Sequence, residues 1–197
     1  MTSEMKFNEL NVVMVGLPGS GKSTLMESFS ISPNYLSLGD ITRREINSNT
    51  KMGKAIREKF KTTDPWSADF VMEIVAPYIS QAMKSGNGFV LDGVPRKVSE
   101  AKIFVDWAKK NSLSIDLVLN LHVSFEIALV RIAERNNAHR LETAGHYKSR
   151  IKAYMAEENE MLEIMRAEAR KSLDIDTNTN SPKEVNRLLF NFVTDNF

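Results

Sequence analysis

No cysteine occurs in the 197 residues. That excludes a disulfide framework and any cysteine-ligated zinc site. Histidine is almost as scarce: His122, His139 and His146 are the whole set, too few and too scattered for a metal centre. Charge of one sign is also missing. The 26 basic and 25 acidic residues leave a net charge of +1. A dedicated nucleic-acid or membrane-surface binder needs an excess of positive field, so neither partner is expected. No apolar run approaches bilayer length. The opening "MTSEMKFNEL" is polar and lacks the apolar stretch of a signal peptide, which makes the cytoplasm the expected compartment. What remains, 42% apolar and 26% charged, is the composition of a globular chain long enough to bury a core without staples.

Strand and helix patterns alternate along that chain. Residues 11–15 read as a buried strand and 22–30 as a helix. "NYLSLGD" passes from a short extended stretch into a helix starting near Asp40. Helices are predicted over 51–61 and 66–84, the second entered through Asp64 and Pro65. Its stripe is Phe70, Ile74 and Ile79, widened by Val71 and Val75. "GFVLD" (88–92) and "SIDLVLNLHV" (114–123) are further strands, with helices over 98–111 and 124–136. "NNAHRLETAG" breaks the apolar pattern and reads as a loop. A long helix follows over 146–171, then a short strand over 173–176. "SPKE" (181–184) is a capping box that opens the last helix, to near Asp195. Alternation of this kind predicts one α/β domain around a mostly parallel sheet covered on both faces. Two parts, about 40–84 and 136–147, are expected to protrude from it. Met72, Met83, Met155 and Met165 are expected in the core, and Trp66 and Trp107 as packing anchors.

The most informative string is "GLPGSGKS", residues 16–23. It fits G-x-x-x-x-G-K-[ST] and lies between a predicted strand and a predicted helix, the context that turns the string into a site. Glycines let the backbone curl so that successive N–H groups point inward at phosphate oxygens, and the helix N-terminus adds its positive end. Lys22 can reach the outer phosphates. The hydroxyl of Ser23 or Thr24 can approach magnesium. Binding of a nucleoside triphosphate follows; which reaction follows does not. No N-K-x-D base-reading motif of the GTPases is present.

"LDGVPR" (91–96) ends a buried strand on an acid. Ligands in open α/β sheets sit at the carboxyl ends of strands, so Asp92 is expected near the glycine loop, placed to hold magnesium through water. Arg43, Arg96, Arg131, Arg135, Arg140 and Arg150 gather around the loop, the strand ends and the 136–147 break. Guanidinium forks suit phosphate oxygens, and phosphoryl transfer needs positive charge spread over them.

The strings "GLPGSGKST", "LSLGDITRREI", "DGVPRKVSEAKIF", "RIAER", "HRLETAGHYKSRIKAY" and "DIDTNTNSPKEV" together resemble the adenylate kinase family of nucleoside monophosphate kinases, across nearly the full length. The resemblance implies a P-loop three-layer sandwich with about five parallel strands, a monophosphate-binding arm and a short lid without zinc. It implies reversible transfer from MgATP to a nucleoside monophosphate by a monomeric enzyme. By position, Gly19, Ser20, Gly21, Lys22, Ser23 and Thr24 would cradle the ATP phosphates. Arg131 would pack on the ATP base and Arg135 would contact its phosphates. Leu38, Gly39, Arg43, Thr63, Asp64, Gly93, Arg96 and Glu100 would line the monophosphate site. Arg140 and Arg150 would reach the transferred group from the lid, and Asp92 with Ser23 would order magnesium.

Three positions depart from the family pattern. The loop reads "GKST" where G-K-G-T is typical. Leu38 stands where AMP-specific members have threonine, and Glu100 where they have glutamine. Glutamine offers a donor and an acceptor, complementary to the adenine edge; an ionised glutamate offers acceptors only and better suits two adjacent donors, as in guanine. The family resemblance makes AMP the expected acceptor, while Leu38 and Glu100 speak for the alternatives, GMP, CMP or UMP. In another reading Glu100 points to solvent and the backbone near Thr63 and Asp64 reads the base. A kinase for a different metabolite, or a nucleotide-binding or ATPase module, fits "DGVPR" and the arginine series less well.

Overall fold

The computed structural model describes residues 2–29, 34–62, 65–134 and 144–197. Five strands form one parallel sheet in the order β2-β3-β1-β4-β5: β1 Asn11–Val15, β2 Asn34–Ser37, β3 Phe89–Asp92, β4 Ile115–His122 and β5 Ala169–Asp176. The inner strands are covered on both faces, so β1, β3 and β4 are mostly apolar and buried almost throughout.

The connections carry the helices. Among the described residues these are α1 Ser3–Phe7, α2 Lys22–Glu27, α3 Leu38–Asn47, α4 Lys51–Phe60, α5 Ala68–Ser85, α6 Val98–Lys110, α7 Phe125–Glu134, α8 Ala144–Glu168 and α9 Pro182–Asn196. Two apolar clusters sandwich the sheet. One gathers residues of α3 to α8, including Ile56, Ile74, Phe104, Ile151 and Met161, on Val13, Leu91 and Val118. The other packs Phe7, Phe29, Val185, Leu189 and Val193 on Val12, Met14 and Leu119. The helical faces follow from spacing: α6 buries Ala101, Phe104, Val105 and Ala108, and α9 buries Val185, Leu189 and Val193.

Several boundaries differ from the sequence reading, each for a local reason. The Ser37 side chain accepts the N–H of Asp40, which starts α3 at Leu38 rather than near Asp40. Ser67 caps α5, so that helix opens at Ala68 and not through Asp64–Pro65; Asp64 itself lies outside the described residues. The long helix stops at Glu168 and β5 begins at once, pairing Ala169 with Ile115. β5 is an edge strand with a mostly exposed face, so its first half reads as polar helix and only pairing with β4 reveals it. A short N-terminal helix, α1, which no apolar pattern announces, is capped by Thr2 and buries Phe7. The capping box at Ser181 and Glu184 is present as expected. Met72 and Met165 are in the core and Met83 packs at its edge, but Met155 is exposed. Trp66 and Trp107 pack against the core cluster. Among the described residues no helix is long and apolar enough to cross a membrane.

Candidate active site

The carboxyl ends of β1, β2, β3 and β4 converge on one edge of the sheet, and register decides which side chains meet there. The glycine loop leaves β1 and enters α2. Gly16 and Gly19 have φ of +137° and +88°, where other residues are strained. Space forbids a side chain as well: a Cβ on Gly16 would lie 2.4 Å from the Leu121 carbonyl oxygen, and one on Gly19 would lie 2.8 Å from that of Ala128. The loop is thus pressed onto the end of β4 and onto α7.

Lys22, the first residue of α2, folds back over this loop. Its ammonium donates to the carbonyls of Gly16 (2.7 Å) and Leu17 (3.0 Å) and stands 3.9 Å from Asp92 Oδ1. Asp92 pairs with Met14 on one side and Ser37 on the other, at the end of β3. It is buried, its Oδ2 accepts the phenol O–H of Tyr35 at 2.6 Å, and its Oδ1 has no hydrogen-bond partner. Burial and then the Asp92 carboxylate push the Tyr35 phenol well above the usual tyrosine range. An orphaned carboxylate oxygen at the strand end next to the glycine loop is a fitting donor toward a hydrated divalent cation.

Beside the glycine loop opens a cavity of about 440 Å³ lined by Gly19, Ser20, Gly21, Thr24, Arg131, Thr177, Asn180 and Pro182. Arg131, on α7, bridges its two walls: one nitrogen donates to the Thr177 carbonyl at 2.6 Å, another approaches the Gly19 carbonyl at 3.4 Å. Thr177 is held in turn on the His122 carbonyl, by its N–H at 2.8 Å and its hydroxyl at 2.9 Å. The segment after β5 therefore belongs to this site, although sequence reasoning assigned no role to Thr177, Asn180 or Pro182. The available signal was a run of small polar residues directly behind a strand end.

On the other side of Asp92 a second group assembles. Leu38 follows β2 and Gly93 follows β3, so the Ser37–Asp92 register brings them together. A Cβ on Gly93 would lie 2.7 Å from Arg96 Nη2 and 3.5 Å from Leu38 Cβ, which locates the guanidinium of Arg96 over this turn. Arg43 lies over Gly39 and pairs with Asp40, both side chains exposed. Tyr154, buried on α8 and absent from the sequence-derived set, has its phenol pushed well above the usual range, by burial first and by the charge of Glu158 next. Thr63, Asp64, Arg135 and Arg140 lie outside the described residues, as does the side chain of Arg150.

Glu100 does not point to solvent. It is 4% exposed, and its Oε2 accepts the backbone N–H of Arg96 at 2.7 Å. Burial pushes its carboxyl above the ordinary range, against the Arg96 N–H and the charges of Arg96 and Lys97, with Glu157 adding to the rise. A carboxyl raised by folding stabilises the fold below its unfolded pKa and loses that contribution as pH rises through the folded one. Glu100→Gln keeps an acceptor for the Arg96 N–H and removes the buried charge. The variant is expected to melt higher than the parent at about pH 8 and to lose that advantage near about pH 4. Thermal melts at both pH values check this; a lower melting temperature at the higher pH would refute it.

Comparison with known proteins agrees with this geometry. The family model described as Adenylate kinase matches residues 14–170. The adenylate kinase of Mycobacterium tuberculosis (strain ATCC 25618 / H37Rv) is 32% identical over 161 residues, 80% of this chain and 86% of that protein. That of Mycolicibacterium smegmatis is 31% identical over 159 residues, with the same coverage. That of Corynebacterium urealyticum is 28% identical over 150 residues, 75% of this chain and 81% of that protein. A glycine-loop cavity and an arginine-bearing turn flanking one buried acid, together with a family match across most of the sequence, place this chain in the adenylate kinase family, as a nucleoside monophosphate kinase that transfers a phosphoryl group from ATP.

Proposed function

We propose that the acceptor is AMP and the donor MgATP, so that the reaction is ATP + AMP = 2 ADP. The observation that supports the geometry of transfer is the placement of Lys22 and Arg96 on either side of Asp92, at neighbouring strand ends. AMP is supported by the activity named for the relatives. Both reactants are anions, and a cationic cleft offsets their repulsion while holding the reacting atoms in line.

In this reading Gly19 to Thr24 bind the ATP phosphates, and Arg131 borders the base side of the cavity. Leu38, Gly39, Arg43, Thr63, Asp64, Gly93, Arg96 and Glu100 form the acceptor site. An acceptor phosphate oxygen attacks the terminal phosphorus of ATP, the bond to the bridging oxygen breaks, and that oxygen leaves on ADP. No general base is needed, because the attacking phosphate is already ionised. Lys22 exchanges the Gly16 and Leu17 carbonyls for phosphate oxygens as the nucleotide enters. Arg135 contacts the ATP phosphates, Arg140 and Arg150 reach the transferred group from the side of a lid at about 136–147 that closes over it, and the arm is built from about 40–84. Water is excluded by that closure, which suppresses hydrolysis. Ser23 and, through water, Asp92 would hold magnesium, which would supply positive charge to offset that on the phosphates. The same reading makes the enzyme a cytoplasmic monomer; sedimentation as a single species of monomer mass tests the second point.

The test of the acceptor is a screen of AMP, GMP, CMP and UMP with ATP and magnesium. AMP is expected to lead in kcat/KM by about tenfold or more. A different leader overturns AMP, and Leu38 is the observation that favours such a result, because a hydrocarbon stands at the turn beside Gly93 and Arg96. ATP consumption that needs no acceptor would overturn kinase function altogether. Repeating the screen with Glu100→Gln separates two roles: an altered ranking makes Glu100 a base reader, and an unaltered one leaves it as a clasp on the Arg96 backbone.

A further inference from the structure

No sequence motif singles out Tyr35. It lies on β2 opposite Val90, one side-chain repeat below the Ser37–Asp92 pair, on the same face of the sheet. Leaning along the strand, its ring carries the hydroxyl to Asp92 Oδ2 at 2.6 Å. The other oxygen, Oδ1, is buried without a hydrogen bond, and the Lys22 ammonium stands 3.9 Å from it. A contact ion pair of these groups would form at about 2.8 Å, roughly an ångström closer. A rotation of the carboxylate about Cβ–Cγ would carry Oδ1 toward the ammonium. The bond to Tyr35 opposes that rotation, because it occupies one oxygen and fixes the plane of the carboxylate.

We propose that Tyr35 is a positioning residue of the donor site: its hydroxyl pins Asp92 short of direct contact with Lys22, so that the ammonium can move onto nucleotide phosphate. A lysine locked onto a buried carboxylate would bind ATP less well, since the same charge would have to be pulled from a partner already in contact. The proposal rests on the reading of the glycine loop as the ATP site. It concerns contact of the ammonium with phosphate and not with metal, so it is measured without metal.

The experiment is a double-mutant cycle read by calorimetric titration of ATP in the presence of EDTA. Tyr35→Phe is expected to weaken metal-free ATP binding by about fivefold to tenfold, and by less than about twofold when Asp92 is already asparagine. With magnesium, kcat of Tyr35→Phe is expected to fall while the acceptor KM stays unchanged. ATP affinity of Tyr35→Phe equal to that of the parent, an equal loss in both backgrounds, or a matching rise in acceptor KM would each overturn the proposal. If the parent binds no ATP at all, the donor-site reading falls and takes this inference with it. If the parent binds and the cycle shows no coupling, only this inference falls. Should Tyr35→Phe fail to fold, a crystal structure of the parent with a non-hydrolysable ATP analogue and EDTA decides. A retained Tyr35–Asp92 bond, with Lys22 on the phosphates, supports the proposal. An Asp92 released from Tyr35 and turned onto Lys22 overturns it.

Discussion

Replacing Lys22 by alanine is expected to lower kcat for phosphoryl transfer by about a thousandfold, equivalent to about 4 kcal/mol of transition-state stabilisation. The ammonium is a cation within reach of both the glycine loop and Asp92. Charge on the transferring group has to be met by fixed positive charge, which counts most where, as proposed, closure excludes water. The substitution also removes two hydrogen bonds to the loop carbonyls of Gly16 and Leu17. ATP affinity is expected to fall as well, because the charged donor that would move from those carbonyls onto phosphate oxygens is gone. The fold is expected to survive, because the sheet and both apolar clusters do not depend on this side chain. Steady-state kinetics, a circular dichroism spectrum and ATP titration on one preparation check the three statements. A variant with more than about a tenth of parental kcat would remove Lys22 from the chemistry.

The second large effect is one of stability, at Gly53. This glycine is buried inside α4, where alanine would ordinarily stabilise by about 0.8–1 kcal/mol. Here the sign reverses. A Cβ at Gly53 would lie 2.0 Å from the Glu45 carbonyl oxygen and 2.5 Å from the Glu45 carbonyl carbon, both backbone atoms of α3. No rotamer change relieves a clash with backbone, so α3 and α4 must separate. Separation also strains the Thr50 clasp, in which the Thr50 hydroxyl accepts the Gly53 N–H at 2.9 Å and donates to the Glu45 carboxylate. Tyr78 donates to the same carboxylate and would be pulled with it. Gly53→Ala is expected to cost about 3 kcal/mol or more, which for a chain of this size lowers Tm by roughly 6–12 °C. Because α3 begins at Leu38 and carries Arg43, the acceptor KM is expected to rise while ATP affinity holds. Differential scanning calorimetry and the two titrations test this. A melting temperature at or above the parental value would show that the helices part without cost.

Both substitutions mark how far local pattern reaches. By itself the sequence determined the parallel α/β sandwich, because buried strands and amphipathic helices alternate with periods that no other architecture satisfies. It also determined the phosphate loop. Backbone N–H groups can cradle an anion only where side chains are absent, so the requirement is written directly as glycine. Lys22, Asp92 and Arg96 were legible for a related reason: each sits at a fixed offset from a strand end, and strand ends in such sheets meet on one edge. The start of β5 was not legible, since an edge strand with an exposed face carries no apolar signature and only pairing with β4 defines it. Nor was the burial of Glu100 or the exposure of Met155, for which residue type points the wrong way. Tyr35 on Asp92, Arg131 across to Thr177, and Gly53 against Glu45 join residues 57, 46 and 8 positions apart. Contacts of that kind depend on register and helix crossing, which the whole sheet sets and no short stretch of sequence contains.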